Sequence, residues 1–344
     1  MKVITLFNNK GGVGKTTLAV NMASFFSSHY EKKILFLDAD PQANSTQMIV
    51  PEDRWEEFYG QGPKNSSLID YLAPIQEGDS HLNFKNIPIT HNENRFGVDL
   101  IPGHPSLSIV EDILSDGWNK CVGGDLGGFR KTNWLKALKD HYYKDYDYMF
   151  VDVGPSLGAL NRSILLNTDY IVTPMGSDIF SLIGVSNISS WINNWQIDYA
   201  NATALLLRKH KEESVRKYPL NFEVELTTRL IGFSVQQYVT KSFAKGRRPV
   251  ASYDRIVRQM PETIMTQLNF LIPPQLSIDD LNLGDVPYLY SLVPVAQSCK
   301  APMYSLTYAD GAKGNLLNSV KRYSEMLEKI CEKLLRNLGD EYAD

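Results

Sequence analysis

Between Asn8 and Thr17 the chain reads NNKGGVGKTT, which places three glycines, two lysines and two adjacent threonines within ten residues. Glycines let successive backbone N–H groups converge on one anion, and a helix start beneath them adds its dipole. A lysine can then meet the outer phosphates of a triphosphate, and a hydroxyl can ligate Mg2+. Gly11, Gly12, Val13, Gly14, Lys15, Thr16 and Thr17 supply those parts in order. The usual spacing, G-x-x-x-x-G-K-[ST], would put glycine at position 9, where this chain has Asn9, and it assigns no role to Lys10. The segment reads as a variant phosphate loop with an additional cation ahead of the expected one.

The elements that must carry this loop are legible around it. KVITLF is an apolar run of strand length, and TTLAVNMASFFSSHY repeats apolar residues at helical spacing. KKILFLDAD, GVDLIPG, YDYMFVDVG and DYIVTPM are further buried-strand patterns, separated by helical stretches such as NWLKALKDHYYKD. Strands alternating with helices predict right-handed βαβ units: an α/β fold with a mostly parallel twisted sheet flanked by helices on both faces. Ligands of such sheets bind beyond the carboxyl ends of the strands. Asp38, Asp40 and Asp152 fall at those ends. An aspartate there is often a helix cap or turn former, but three of them facing one crevice beside a phosphate loop point to metal and water chemistry.

The string KGGVGKT resembles the deviant Walker A motif of the ParA/MinD family of P-loop ATPases, in which the early lysine is the signature residue. The resemblance implies that Lys10 reaches across a face-to-face, ATP-dependent homodimer to phosphates held by the other subunit, as an arginine finger does. FLDADPQANST resembles the family's second motif, which implies Asp38 near the Mg2+ shell and Asp40 orienting the attacking water. YMFVDVGPSLGALN is similar to its Walker B and switch II segment, which implies Asp152 holding Mg2+ through water and Gly154-Pro155 moving with the γ-phosphate; many members carry proline where this chain has Gly154. Lys10, Lys15 and Asp40 are thereby the implied catalytic residues, and Thr16, Asp38 and Asp152 the implied metal residues. ATP and Mg2+ are the implied cofactors. Weaker likenesses in VDLIPGHPSLS, DYIVTPMGSDIFSLIGVSNI and SLVPVAQSCKAPM extend the match. They imply one domain over residues 1–338 with an acidic tail at 339–344. Family members close the base pocket after a late strand, here LIGFSVQQYVT, and near Pro294; Gln237 is the expected pocket residue.

Composition bounds the rest. A net charge of −4, from 35 basic and 39 acidic residues, excludes a chain-wide polyanion surface, so any nucleic-acid contact must be confined. Residues 240–258 provide one candidate, with Lys241, Lys245, Arg247, Arg248, Arg255 and Arg258 against the single acid Asp254. Such a cluster suits phosphate contacts without sequence specificity. Cys121, Cys299 and Cys331 are far apart with no Cys-x-x-Cys pair, which speaks against a disulfide framework and against a nitrogenase-type iron protein. Tyrosine-kinase relatives would need membrane segments and a tyrosine-rich tail.

Residues 51–95, 115–129 with five glycines, and 196–230 read as surface insertions. The closing helix, about Asn315 to Leu338, carries an apolar stripe expected to dock onto the sheet, and the GDEYAD ending argues against an anionic membrane. With the loop so near residue 1, an N-terminal operator-reading domain is not expected. The expected function is a cytoplasmic, nucleoid-associated ATPase that dimerises on ATP and binds DNA nonspecifically. A ParB-like or other adaptor protein that stimulates its slow hydrolysis releases it, so that plasmid, chromosome or other cargo is partitioned or positioned. The alternative is a nucleotide-switched scaffold or a MinD-like positioning ATPase acting on protein partners or membrane.

Overall fold

Seven strands form one all-parallel sheet in the computed structural model, which describes every residue except 61, 63, 224–227, 239, 244, 245, 250, 290 and 341–344, and only the backbone over the rest of 237–254. The strands are β1 (Lys2–Leu6), β2 (Ile34–Asp38), β3 (Asp99–Ile101), β4 (Tyr148–Asp152), β5 (Tyr170–Gly176), β6 (Arg229–Tyr238) and β9 (Asn282–Pro287), and their spatial order is β3-β2-β4-β1-β5-β6-β9. A separate antiparallel hairpin pairs β7 (Thr240–Phe243) with β8 (Gly246–Pro249). The principal helices are α1 (Lys15–His29), α2 (Asn44–Ile49), α3 (Leu107–Val122), α4 (Leu126–Thr132), α5 (Trp134–Tyr142), α6 (Ala159–Leu165), α7 (Ile179–Lys209), α8 (Ala251–Gln267), α9 (Leu292–Cys299) and α10 (Asn315–Asn337).

The strands are apolar throughout because both faces are covered, and alternate residues feed separate cores. Val3, Leu35, Leu37, Met149 and Val151 pack with side chains of α3, α5, α6 and α7. Ile4, Leu6, Phe36 and Phe150 pack with α1 and α10. The register sets Leu6 and Asp38 on either side of Asp152, so the two acidic strand ends are neighbours at the sheet's carboxyl edge.

The three predicted insertions are more deeply built in than surface excursions. Glycine-rich 115–129 is mostly helix, the end of α3 and the start of α4, with Trp118, Cys121 and Phe129 buried. Its glycines serve close packing: a Cβ at Gly128 would lie 2.4 Å from the Cys121 nitrogen. Within 51–95, Phe58, Leu68, Tyr71 and Ile75 are buried, and within 196–230 the long α7 buries Tyr199, Ala202 and Leu206. At the C-terminus Val320, Tyr323, Leu327, Ile330 and Leu334 of α10 enter the core, whereas Leu317 stays partly exposed. Asp340, from the predicted acidic tail, accepts Lys2 Nζ and the Tyr148 hydroxyl at the opposite edge of the sheet; 341–344 lie outside the described residues. Among the described residues no helix is long and apolar enough to cross a membrane.

Candidate functional site

The loop between β1 and α1 turns through left-handed backbone at Gly12 (φ 72°) and Gly14 (φ 81°), conformations that disfavour any side chain. Gly14 is the residue from which α1 starts, so the loop's N–H groups and the helix dipole face one point. Lys15 Nζ donates to the Lys10 carbonyl at 2.9 Å, and its side chain is only 6% exposed. Burial lowers the Lys15 pKa, while Asp152 and Asp40 pull it up.

Two carboxylates lie buried at the neighbouring strand ends. Asp38 Oδ2 accepts both the Thr46 hydroxyl at 2.7 Å and the Thr46 N–H at 2.8 Å, and Oδ1 accepts the Asp40 N–H at 3.2 Å. Burial, then the adjacent Asp152, pushes its pKa up to about 8. Asp152 Oδ2 accepts the Ser45 hydroxyl at 2.6 Å, while its Oδ1 is buried with no hydrogen-bond partner among the described residues. Burial raises Asp152 to about 6, opposed by the Ser45 hydrogen bond and the nearby Thr16 hydroxyl. A hard divalent cation fits this arrangement: it takes oxygen ligands, would meet the unpartnered Oδ1 beside the Thr16 hydroxyl, and would relieve the repulsion between the two carboxylates. Asp38, with both oxygens accepting, orients Thr46 and the turn to Asp40.

The crevice over the loop has a volume of about 830 Å³ and is lined by Gly11, Gly12, Lys15, Thr16, Asp40 and Pro155, with Val293, Gln297 and Ser298 of α9 opposite. Gly14, Thr17 and Val293 are shared with a second cavity of about 310 Å³, walled by Leu18, Gln236, Val286, Pro287, Leu289 and Pro294. That pair of volumes, one of mixed polar and apolar lining with Lys15, Thr16 and Asp40 and one largely apolar, has the form of a nucleotide cleft. Pro294 lies in the second cavity as the sequence suggests. The described residue of β6 that lines it is Gln236. Gln236 is buried and donates to Ser234 Oγ at 2.7 Å. The Gln237 side chain lies outside the described residues.

Lys10 is brought near the loop but not into the crevice. Its Nζ pairs with Asp178, whose other oxygen caps α7 by accepting the Phe180 N–H at 3.0 Å. Ile179, Phe180 and Ile183 beside it are half or more exposed. In the predicted basic segment, Lys241 pairs with Arg248 and Ser242 with Arg247 in the hairpin register; these side chains, and Lys245 entirely, lie outside the described residues. Arg255 and Arg258 are carried on α8.

Sequence reasoning missed Ser45, Thr46, Asp178 and Gln236. Asp178 had a signal, an acidic residue just before an apolar helix, and Gln236 had period-two alternation. Ser45 and Thr46 sat inside a recognised string, but only the fold turns α2 back over both aspartates.

A family model described as an AAA domain matches residues 1–204, more than half of the chain. The chromosome partitioning protein ParA of Myxococcus xanthus is 28% identical over 199 residues, covering 56% of this chain and 58% of that protein. The sporulation initiation inhibitor protein Soj of Bacillus subtilis is 30% identical over 187 residues, covering 54% and 63%. The chain thus spans about 60% of the length of these curated relatives. Among solved structures, a protein from Corynebacterium diphtheriae superposes with a TM-score of 0.76 at 28% identity over 98% of this chain and 99% of that one. McdA of Cyanothece, in a complex with ATP, shares the fold with a TM-score of 0.60 at 17% identity over 100% and 98%.

Proposed function

The chain belongs to the ParA/MinD-type P-loop ATPases, and from that premise we propose that it is an Mg2+-dependent ATP hydrolase whose ATP-bound homodimer partitions or positions a DNA-associated cargo. The single observation that supports this most is the joined cleft: an apolar cavity sized for a base opens at Gly14 and Thr17 into a crevice holding Lys15, Thr16 and Asp40.

The chemistry follows from the side chains. Loop N–H groups and Lys15 bind the β- and γ-phosphates, and burial of Lys15 strengthens that contact. Thr16 and Asp152 would hold Mg2+, with Asp38 fixing the turn around them; the ion, when bound, offsets charge on the phosphates. Asp40 orients the water that attacks the γ-phosphate. Lys10 leaves Asp178 to reach the partner's phosphates, and Ile179, Phe180 and Ile183 become buried between the two copies. The basic hairpin, with Arg255 and Arg258, meets DNA phosphates in the cytoplasm, on the nucleoid, and a ParB-like adaptor accelerates an otherwise slow turnover.

Light scattering with and without ATP tests this reading. Wild type should double in mass on ATP and Lys10→Ala should not; a monomer at saturating nucleotide in the wild type would count against the whole mechanism. Asp40→Ala, assayed with and without DNA, separates a hydrolytic switch from a scaffold that only binds nucleotide.

A further inference from the structure

Residues 153–158 connect Asp152 to α6 and border the crevice. Pro155 lines it, and a Cβ at Gly154 would lie 3.1 Å from Asp40 Oδ1. One side chain bonds the segment itself, and a second bonds the first turn of α6 that follows it. Asn161, 2% exposed, donates through Nδ2 to the Gly154 carbonyl at 2.8 Å and to the Ser156 carbonyl at 2.7 Å. Glu111, on α3, accepts the Ala159 N–H through Oε1 and the Leu160 N–H through Oε2, the latter at 2.9 Å.

A helix start leaves N–H groups without partners, and α6 has no side-chain cap from its own first residues. Glu111 supplies the acceptors from another element. It comes so close that a Cβ at Gly158 would fall 2.0 Å from Oε1. The same α3 follows a turn whose Gly103 N–H donates to Thr46 Oγ1 at 2.9 Å, and that hydroxyl donates to Asp38. The helix therefore joins the Asp38 side of the site to the segment that packs on Asp40.

We propose that Glu111 is a positioning residue for phosphoryl transfer: together with Asn161 it holds residues 153–158 where Gly154 packs on Asp40, and so aims the Asp40 carboxylate at the attacking water. This rests on the ATPase reading above. Charge-assisted bonds to two backbone donors are the strong kind, and breaking them loosens the start of α6, to which the segment beside the Asp40 carboxylate is joined.

The test is steady-state kinetics and amide hydrogen exchange on the full chain. Glu111→Gln keeps the size but turns an NH2 toward a backbone N–H. It should lower kcat about tenfold while KM for ATP moves less than about twofold, as for an interaction realised in the transition state. Exchange at Ala159 and Leu160 should accelerate about tenfold or more, confined to 153–161. Glu111→Asp, which retains the carboxylate, should recover part of the rate, and Asp112→Asn, on the neighbouring acid, should match wild type. If Glu111→Gln does not fold, Asn161→Ala carries the same kinetic comparison. The proposal is overturned by an unchanged kcat, or by kcat and KM shifting together with loss of protection across the chain. A wild type that turns over no ATP defeats the ATPase reading and this proposal with it, whereas a wild type that turns over at the rate of Glu111→Gln defeats the proposal alone.

Discussion

Lys15, Thr16, Asp38 and Asp152 belong to β2, β4 and the start of α1 just past β1, whereas the cavity beside Gly14 collects Gln236 from β6, Val286 from β9 and Val293 and Pro294 from α9. The phosphate side is built by backbone geometry and charge, which short strings encode. The second cavity is built by shape, from three separate stretches: Gly14 to Leu18, Gln236, and Val286 to Pro294. The same contrast divides the likeness to relatives, since the matched family model ends at residue 204, before any of the base-side strands.

The largest effect should come from the phosphate side. Lys15→Ala removes the buried cation from the γ-phosphate and should cut ATP turnover at least about 10²–10³-fold, as removal of a preorganised charge does elsewhere; turnover within a few-fold of wild type would break the contrast. Next is DNA retention. Replacing Arg247 and Arg248 with glutamate should abolish ATP-dependent retention on filters, and lower the salt dependence of any residual binding by about one unit of slope for each DNA phosphate no longer neutralised. Retention at wild-type strength would take the hairpin out of the account.

A third prediction concerns pH. Asp38 and Asp152 have folded pKa values near 8 and 6, above the ordinary 3.8, so the folded chain holds more protons than the unfolded chain across that interval. Nucleotide-free stability should therefore be greatest at low pH within it and fall, on the order of a few kcal/mol, as pH rises from about 4 to 8. Asp38→Asn should flatten the fall between about pH 6 and 8, read as Tm by calorimetry, and Mg2+ affinity should rise with pH in the wild type because its ligands must be deprotonated. A Tm that climbs over that interval in the metal-free protein would show the carboxylates to be solvated.

The smallest effect belongs to the base side. Gln236→Ala should raise KM for ATP about tenfold with little change in kcat, and should weaken discrimination against GTP, since a buried amide reads base edges. An equal drop in kcat would mean that the cavity and the phosphate crevice are one unit.

The parallel sheet, its covered faces and the strand-end position of Asp38 and Asp152 were all legible, because apolar runs of strand length and glycine spacing are local signals. The insertions were misjudged for the same reason. Glycine at 117, 124 and 128 looks like loop composition, but Gly117 and Gly128 let α3 and α4 approach, which depends on what lies across the gap. That Gln236 faces the cavity is not legible in the string, because facing within a strand needs the register of β6 against β5 and β9.

The order of residues alone determined that a glycine-rich turn carrying a lysine runs from β1 into α1, since the left-handed turns at Gly12 and Gly14 and the charge at Lys15 require no distant partner. Only the tertiary structure decided that Asp152 keeps an unpartnered oxygen, that Lys10 rests on Asp178, and that Glu111 reaches the start of α6. Each of those depends on two segments far apart in the chain meeting within hydrogen-bond distance, and the packing of helices on the sheet sets that distance.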